Sequence, residues 1–307
     1  MENLIFMGTS SFAVQCLESL KRDNIKVKLV VTRPDRRAGR NKRLMPPPVK
    51  KWALANGIEV FQPEKVNRPE AIEFLRQLNP ELFVVVAYGQ ILGKELLNLP
   101  ALGCVNVHAS LLPHLRGAAP IEWSLIHGFK ETGITTMFMD EGLDTGDIIL
   151  QASTPITDAD TGESLTEKLA ALAQDLLPKT VRMIASGTAP RIPQPAGEYL
   201  YAPMLSSADE RIDWQKPAEA IANLVRALSP KPGAYCTFRN KRLKILRARV
   251  VDCQGVSGTV VRADKQLVIA CKEQGLAPLE VKPEGKGALD IGDFINGYRI
   301  QEGELFQ

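Results

Sequence analysis

Leu82-Phe83-Val84-Val85-Val86 and, farther on, Cys104-Val105-Asn106-Val107-His108 decide how this chain folds. The first is an unbroken apolar, β-rich run, the pattern of a strand covered on both faces. In the second, Asn106 and His108 stand two apart on a short strand, so both side chains leave the same face. Strand and helix patterns alternate outward from here. Residues 4–7 form a short apolar run that ends in Gly8-Thr9-Ser10-Ser11, and helical spacing follows over 12–20. A strand is expected over 26–31, a helix over 49–55, a strand at 59–61, and a helix over 71–78 stopped by Asn79-Pro80. Residues 135–139 and 147–151 read as an antiparallel pair at the sheet edge.

Residues 160–185 carry the clearest helix. Leu165, Leu169, Leu172 and Leu176 recur on one face, with Asp160 and Glu163 as a start signal and Gly187 as a stop. Strands separated by helices predict βαβ units, so the fold class is α/β with a Rossmann-like, mostly parallel sheet over residues 1–188. Residues 189–208, rich in Pro and small residues, read as a linker. A helix is expected over 218–228. Short β-like runs at 235–238, 243–251, 258–261, 266–270 and 279–281 then predict a small OB-like β-barrel domain over 209–307.

The chain has 307 residues, 45% apolar and 24% charged, the profile of a globular protein. No stretch approaches the ~18–20 apolar residues of a membrane span, and no membrane partner is expected. The N-terminal run reads as a first strand and not as a signal peptide. Cys16, Cys104, Cys236, Cys253 and Cys271 are scattered, which argues against a disulfide framework or a zinc site. A cytoplasmic location and no metal are the expectations. The formal charge is only +3, so distribution matters more than total.

Asn106 and His108 sit where a strand meets a loop, and the carboxyl ends of parallel strands are where such sheets bind ligands. Taken alone, the pair reads first as two side chains satisfying buried loop carbonyls. Ser110-Leu111-Leu112-Pro113 follows directly, and Asp140-Glu141-Gly142-Leu143-Asp144-Thr145-Gly146-Asp147 forms a glycine-punctuated acidic loop. That loop lacks the ligand spacing of an EF-hand.

The pattern Asn106-x-His108-x-Ser110-Leu111-Leu112-Pro113, with Leu143-Asp144-x-Gly146-Asp147, resembles the signature of the formyltransferases that use 10-formyltetrahydrofolate. Val86-Ala87-Tyr88-Gly89 and Arg211-Ile212-Asp213-Trp214 extend the resemblance over essentially the whole chain. It implies a catalytic trio of Asn106, His108 and Asp144. It implies folate contacts at Ser110, Leu111, Leu112, Pro113, Tyr88, Gly89, Ile91, Leu92, Asp140 and Gly142. The chemistry suits the residue types. An amine attacking a formamide builds charge on oxygen, which an Asn106 amide and a protonated His108 can meet with hydrogen bonds. His108 can also act as general acid toward the folate nitrogen, supported by Asp144.

The acceptor is set elsewhere. Residues 32–51 hold Arg33, Arg36, Arg37, Arg40, Lys42, Arg43, Lys50 and Lys51 against the single acid Asp35. This segment resembles the tRNA-engaging insertion of the methionyl-tRNA formyltransferase family, which makes Arg33, Arg36, Arg37, Arg40, Lys42 and Arg43 the expected tRNA contacts and initiator methionyl-tRNA the expected partner. Between Arg211 and Arg249 stand ten Lys or Arg against Asp213 and Glu219, a basic face suited to a nucleic-acid backbone. No obligate protein partner is evident. The family pattern is departed from at His114-Leu115, where a basic residue and an aromatic are commoner; His114 reads as a surface residue, and His127 as a helix-terminal histidine before Gly128. Two alternatives stay open: the same chemistry on a small amine such as an amino-sugar nucleotide, and an inactive nucleic-acid-binding protein.

Overall fold

The computed structural model describes residues 1–38 and 43–307, which form two compact units. The first is built on a seven-stranded sheet: β1 (Leu4–Gly8), β2 (Leu29–Val31), β3 (Glu59–Phe61), β4 (Leu82–Val86), β5 (Cys104–His108), β6 (Glu131–Phe138) and β7 (Ile148–Pro155). Their order in the sheet is β7-β6-β5-β4-β1-β2-β3. The five strands from β5 to β3 run parallel, and β6 joins antiparallel to β5. This is the mostly parallel α/β architecture that the strand and helix alternation predicts. β1 and β4 are buried at every position, as their lack of any polar residue requires of strands covered on both faces.

The order reverses beside β1, whose neighbours are β2 and β4. The crevice outside the carboxyl ends of strands at such a reversal is where doubly wound sheets bind ligands. Here it is spanned by the Thr9 hydroxyl, which donates to the main-chain oxygen of Tyr88 at 2.8 Å. Helices α1 (Ser11–Arg22), α2 (Pro48–Ala55), α3 (Pro69–Gln77) and α4 (Lys94–Leu97) connect these strands. Ser10 caps α1 through its side chain, satisfying one of the donors that every helix start leaves free. Farther along the chain come α5 (Pro120–Ile126), which belongs to the second unit, and α6 (Gly162–Ala185), whose first residues belong to the second unit and whose length from Thr166 belongs to the first. Leu165 and Leu169 of α6 are fully buried. Asp160 does not begin the helix but closes a turn before it, accepting from the Thr157 main chain and hydroxyl and from Ser164.

The second unit includes α7 (Ala218–Ala227), five antiparallel strands β8 (Tyr235–Phe238), β9 (Lys241–Val251), β10 (Val260–Ala263), β11 (Leu267–Ala270) and β12 (Gly275–Pro283), the short β13 (Leu289–Asp290), and α8 (Ile291–Tyr298). The strand order is β8-β9-β12-β11-β10. A bulge around Arg247 bends the long β9, and bulges add the twist that curls a sheet. The last residues of the chain then join the two edges: Gln307 exchanges main-chain hydrogen bonds with Thr237, and Phe306 and Glu304 bond to Gly258 and Val260. Inside the curl, Phe238 and Phe306 stack at 4.4 Å, with Phe294 and Trp214 against them. Among the described residues, no helix is long and apolar enough to cross a membrane.

Candidate active site

β5 alternates as its sequence demands, with Val105 and Val107 buried on one face and Asn106 and His108 on the other. His108 is buried, so its ring nitrogens need partners. Nε2 lies 2.9 Å from the main-chain oxygen of Leu115. A carbonyl oxygen only accepts, so Nε2 carries the hydrogen and donates it. Nδ1 is turned to Asp144, 3.7 Å from Oδ2, which is beyond hydrogen-bond length. Satisfying a loop carbonyl is thus one half of what His108 does, and facing a carboxylate is the other.

Asp144 arrives from the loop between β6 and β7. The Asn106 Nδ2 donates to its Oδ1 at 3.3 Å, and the main-chain N–H of Gly117 donates to its Oδ2 at 2.9 Å. Asn106, His108 and Asp144 therefore meet in one corner. The loop makes that corner under tight constraint. Asp144 has a φ of 54°, in the left-handed region that costs most side chains energy but that Asp tolerates comparatively well. A Cβ on Gly146 would lie 1.9 Å from the Phe138 oxygen, so only glycine lets the chain pass there. Asp140 ties the other end, accepting from the Gly142 N–H at 3.1 Å and the Thr145 hydroxyl at 2.7 Å. Asp140 and Gly142 are exposed.

The residues expected to touch folate divide. Ser110 and Leu112 are buried: the Ser110 hydroxyl donates to the His114 oxygen at 2.7 Å, and Leu112 N–H donates to Thr135. Leu111 and Pro113 are half-buried. Tyr88 and Leu92 lie in the core under the crevice, whereas Ile91 is 79% exposed. Burial pushes the Tyr88 phenol well above its ordinary range, and its hydroxyl has no partner among the described residues. Lys94 and Glu141 form an exposed ion pair at 2.8 Å, which brings the segment after β4 against the acidic loop. Leu143, which was not among the expected contacts, is exposed there.

The basic segment is a hairpin and not a plain loop: strand Arg36–Ala38 pairs antiparallel with strand Arg43–Met45. Arg36, Arg37, Arg43, Leu44 and Met45 are all exposed. Arg40 and Lys42 lie outside the described residues. Arg33 stands apart from the hairpin, half-buried, with its guanidinium against Gly89. At the hairpin's base Asp35 accepts from Gln62 at 2.8 Å and from Lys50 at 2.9 Å. Those two contacts, Gln62 first, hold its carboxyl below the usual range.

His114 is exposed and meets Tyr199 edge-on at 5.0 Å, while Leu115 is buried with a φ of 60°. The Leu115 contact to His108 is through the main chain, so the departure from the family pattern at this position leaves it available. His127 ends α5 and stacks on Trp123 at 5.3 Å. Burial pushes the thiols of Cys16, Cys104 and Cys236 up to about 12, leaving them poor nucleophiles. Among the described residues, no three or more His, Cys, Asp or Glu cluster as a metal would require.

Sequence reading missed Gln194. It lies in the stretch expected to be a linker, yet residues 189–201 belong to the first unit. Ile192 bridges to Ile148 there, and Gln194 bonds to the Asp144 loop and to Arg116. Nothing in a Pro-rich segment without periodicity signals such contacts.

Residues 2–181 match the family model described as formyl transferase, and residues 204–299 match that described as formyl transferase, C-terminal domain. The methionyl-tRNA formyltransferase of Symbiobacterium thermophilum is 48% identical over 311 residues, which cover 100% of this chain and 95% of its own. That of Citrifermentans bemidjiense is 46% identical over 305 residues, 98% of this chain and 95% of its own. An N-formyltransferase from Helicobacter canadensis, solved with folinic acid and dTDP-3-aminofucose, has a TM-score of 0.67 over 91% of this chain and 98% of that one, at 20% identity. That last likeness is one of fold. The identity to the two relatives runs through both domains and nearly the full length of each chain, and on it this chain belongs to the methionyl-tRNA formyltransferase family.

Proposed function

We propose that Asn106, His108 and Asp144 carry the reaction of this enzyme, transfer of the formyl group of 10-formyltetrahydrofolate to the amino group of methionine on initiator tRNA. The observation that carries this reading is the meeting of the three side chains around one carboxylate, at 3.3 Å and 3.7 Å. The folate supplies the formyl carbon and a leaving nitrogen that must gain a proton. The chain supplies the rest. Asn106 has two amide hydrogens and gives one to Asp144, which leaves the second for an oxygen that is gaining charge. His108 has committed its Nε2 hydrogen to Leu115, so only Nδ1 can give or take a proton during the reaction. Asp144 faces that nitrogen and can steady a positive imidazolium or receive a proton lost by the attacking amine. No protein nucleophile is needed, because the amine is one. Placing two bound substrates together supplies much of the acceleration.

The folate is held in the crevice by Gly89, Ile91, residues 110–113, Asp140 and Gly142, over a floor that Tyr88 and Leu92 support from the core. The exposed arginines of the hairpin, with Arg33, Arg40 and Lys42, engage the tRNA, and residues 209–307 offer a basic barrel to its backbone. Dispersed cysteines and a tRNA substrate support a cytoplasmic site of action. The test compares single-turnover formylation of charged initiator tRNA and of an amino-sugar nucleotide by the same enzyme. Transfer to the tRNA alone is expected; preference for the sugar would overturn the acceptor assignment.

A further inference from the structure

Four hydrogen bonds tie Gln194 to the framework of the Asp144 corner, and its Nε2 also lies 4.0 Å from the Met137 sulfur. Its Nε2 donates to the main-chain oxygens of Asp144 and Gly146, each at 2.9 Å. Its Oε1 accepts from Nε and Nη2 of Arg116 at 3.0 Å and 2.6 Å. A guanidinium only donates and a carbonyl oxygen only accepts. The amide can therefore sit only one way round, and Arg116 sets that way. The segment is carried to the loop by Ile192, which exchanges main-chain hydrogen bonds with Ile148.

The loop needs such an anchor. Asp144 is left-handed without being glycine, and Gly146 is pressed against the Phe138 oxygen, a path that persists only where its surroundings hold it. Gln194 takes the carbonyls of this turn from one side. Gly117 and Asn106 take the Asp144 carboxylate from the other. Gly117 follows Arg116 directly, so one dipeptide orients the amide and binds the carboxylate. We infer that Gln194, oriented by Arg116, is a positioning residue for formyl transfer: it holds the carboxylate of Asp144 beside Asn106 and His108 and acts through Asp144. The inference rests on the reading of Asp144 as a catalytic residue.

The experiment measures kcat and both KM values for Gln194→Ala, Gln194→Glu, Asp144→Ala and the double variant Gln194→Ala/Asp144→Ala, with melting temperatures alongside. Misplacing a reacting group by about an ångström costs on the order of a hundredfold. Gln194→Ala is therefore expected to lower kcat by about 10- to 100-fold with each KM within about twofold. Gln194→Glu keeps a partner for Arg116 but turns an anion on two carbonyl oxygens, so at neutral pH it is expected to be no better than alanine. In the Asp144→Ala background, Gln194→Ala is expected to cost nothing further. Should alanine lower the melting temperature, the near-isosteric Gln194→Met takes its place. A kcat within threefold of the unsubstituted enzyme, a loss confined to KM, or the full loss repeated on top of Asp144→Ala would each overturn the inference. If Asp144→Ala itself turned over normally, the catalytic reading of Asp144 would fall with it. A crippled Asp144→Ala beside an unimpaired Gln194→Ala would overturn the Gln194 inference alone.

Discussion

His108 gives its Nε2 hydrogen to the main-chain oxygen of Leu115, 2.9 Å away, and thereby turns Nδ1 toward Asp144. One nitrogen is held by the fold, and the other faces a carboxylate. The two roles can be separated by substitution. The amide nitrogen of a glutamine reaches about as far as Nε2 but offers nothing in place of Nδ1. His108→Gln is expected to keep the fold, with a melting temperature within a few degrees of the parent, and to lower the single-turnover rate by at least about a hundredfold, the scale of general acid–base catalysis. A rate within tenfold of the parent would show that Nδ1 takes no part.

Asp144→Asn should leave the Gly117 hydrogen bond in place, because an amide oxygen still accepts from that N–H. The negative charge facing His108 is lost. Turnover is expected to fall by about 10²- to 10³-fold, the order seen when one charge-stabilising group is removed, while folate affinity stays within about threefold. Equilibrium folate binding and quenched-flow transfer measured on one preparation check both halves. A large loss of folate affinity with little change in rate would reassign Asp144 to binding.

The exposed charges of the hairpin predict a salt effect. Each phosphate contact contributes a slope of about −0.7 to −0.9 in log K against log salt. Replacing Arg36 and Arg37, both exposed, with glutamine is expected to raise KM for tRNA and to flatten that slope by about one to two such steps, leaving KM for folate unchanged. The comparison is made at two salt concentrations. Identical tRNA kinetics for parent and variant at both would leave the hairpin without this role.

Asp35 ties the hairpin's base to Gln62 and Lys50, and its carboxyl is held below the usual carboxylate range. A group depressed in the folded state contributes stability that is present above its unfolded pKa and is lost as pH falls through the folded one. Asp35→Asn is therefore expected to melt earlier than the parent at neutral pH, with the difference shrinking as the pH drops into and below the ordinary carboxylate range. Because the pair is partly exposed, the shift is expected to be a few degrees at most. Thermal melts at several pH values decide it; a difference that grows toward acid would contradict the sign.

Much was legible where chemistry is local. The apolar runs of β1 and β4 could only be buried strands, and the spacing of Leu165 and Leu169 could only be a helix face. Other elements shifted because pairing overrides propensity. The strand expected over 26–31 begins at Leu29, where the register to Ile5 begins. The short run expected at 279–281 became the nine-residue β12 because β9 pairs along almost its whole length. α8 was missed because Gly292 and Gly297 interrupt a short helix that is held by its burial of Ile291, Phe294 and Ile295. The basic segment gives no strand signal because its paired strands are short and Arg36, Arg37, Arg43, Leu44 and Met45 are exposed with no apolar alternation.

The sequence by itself determined the donor and acceptor types at the site, since Asn106 and His108 had to share a face of β5 and the acidic loop was punctuated by glycine. Only the tertiary structure decided which nitrogen of His108 faces Asp144, and that a glutamine from the stretch expected to be a linker holds Asp144 from fifty residues away. The reason is physical. Hydrophobic periodicity reports burial, which is set by near neighbours along the chain. A hydrogen bond to a main-chain carbonyl is indifferent to the side chain of its acceptor and depends solely on where the folded chain places it.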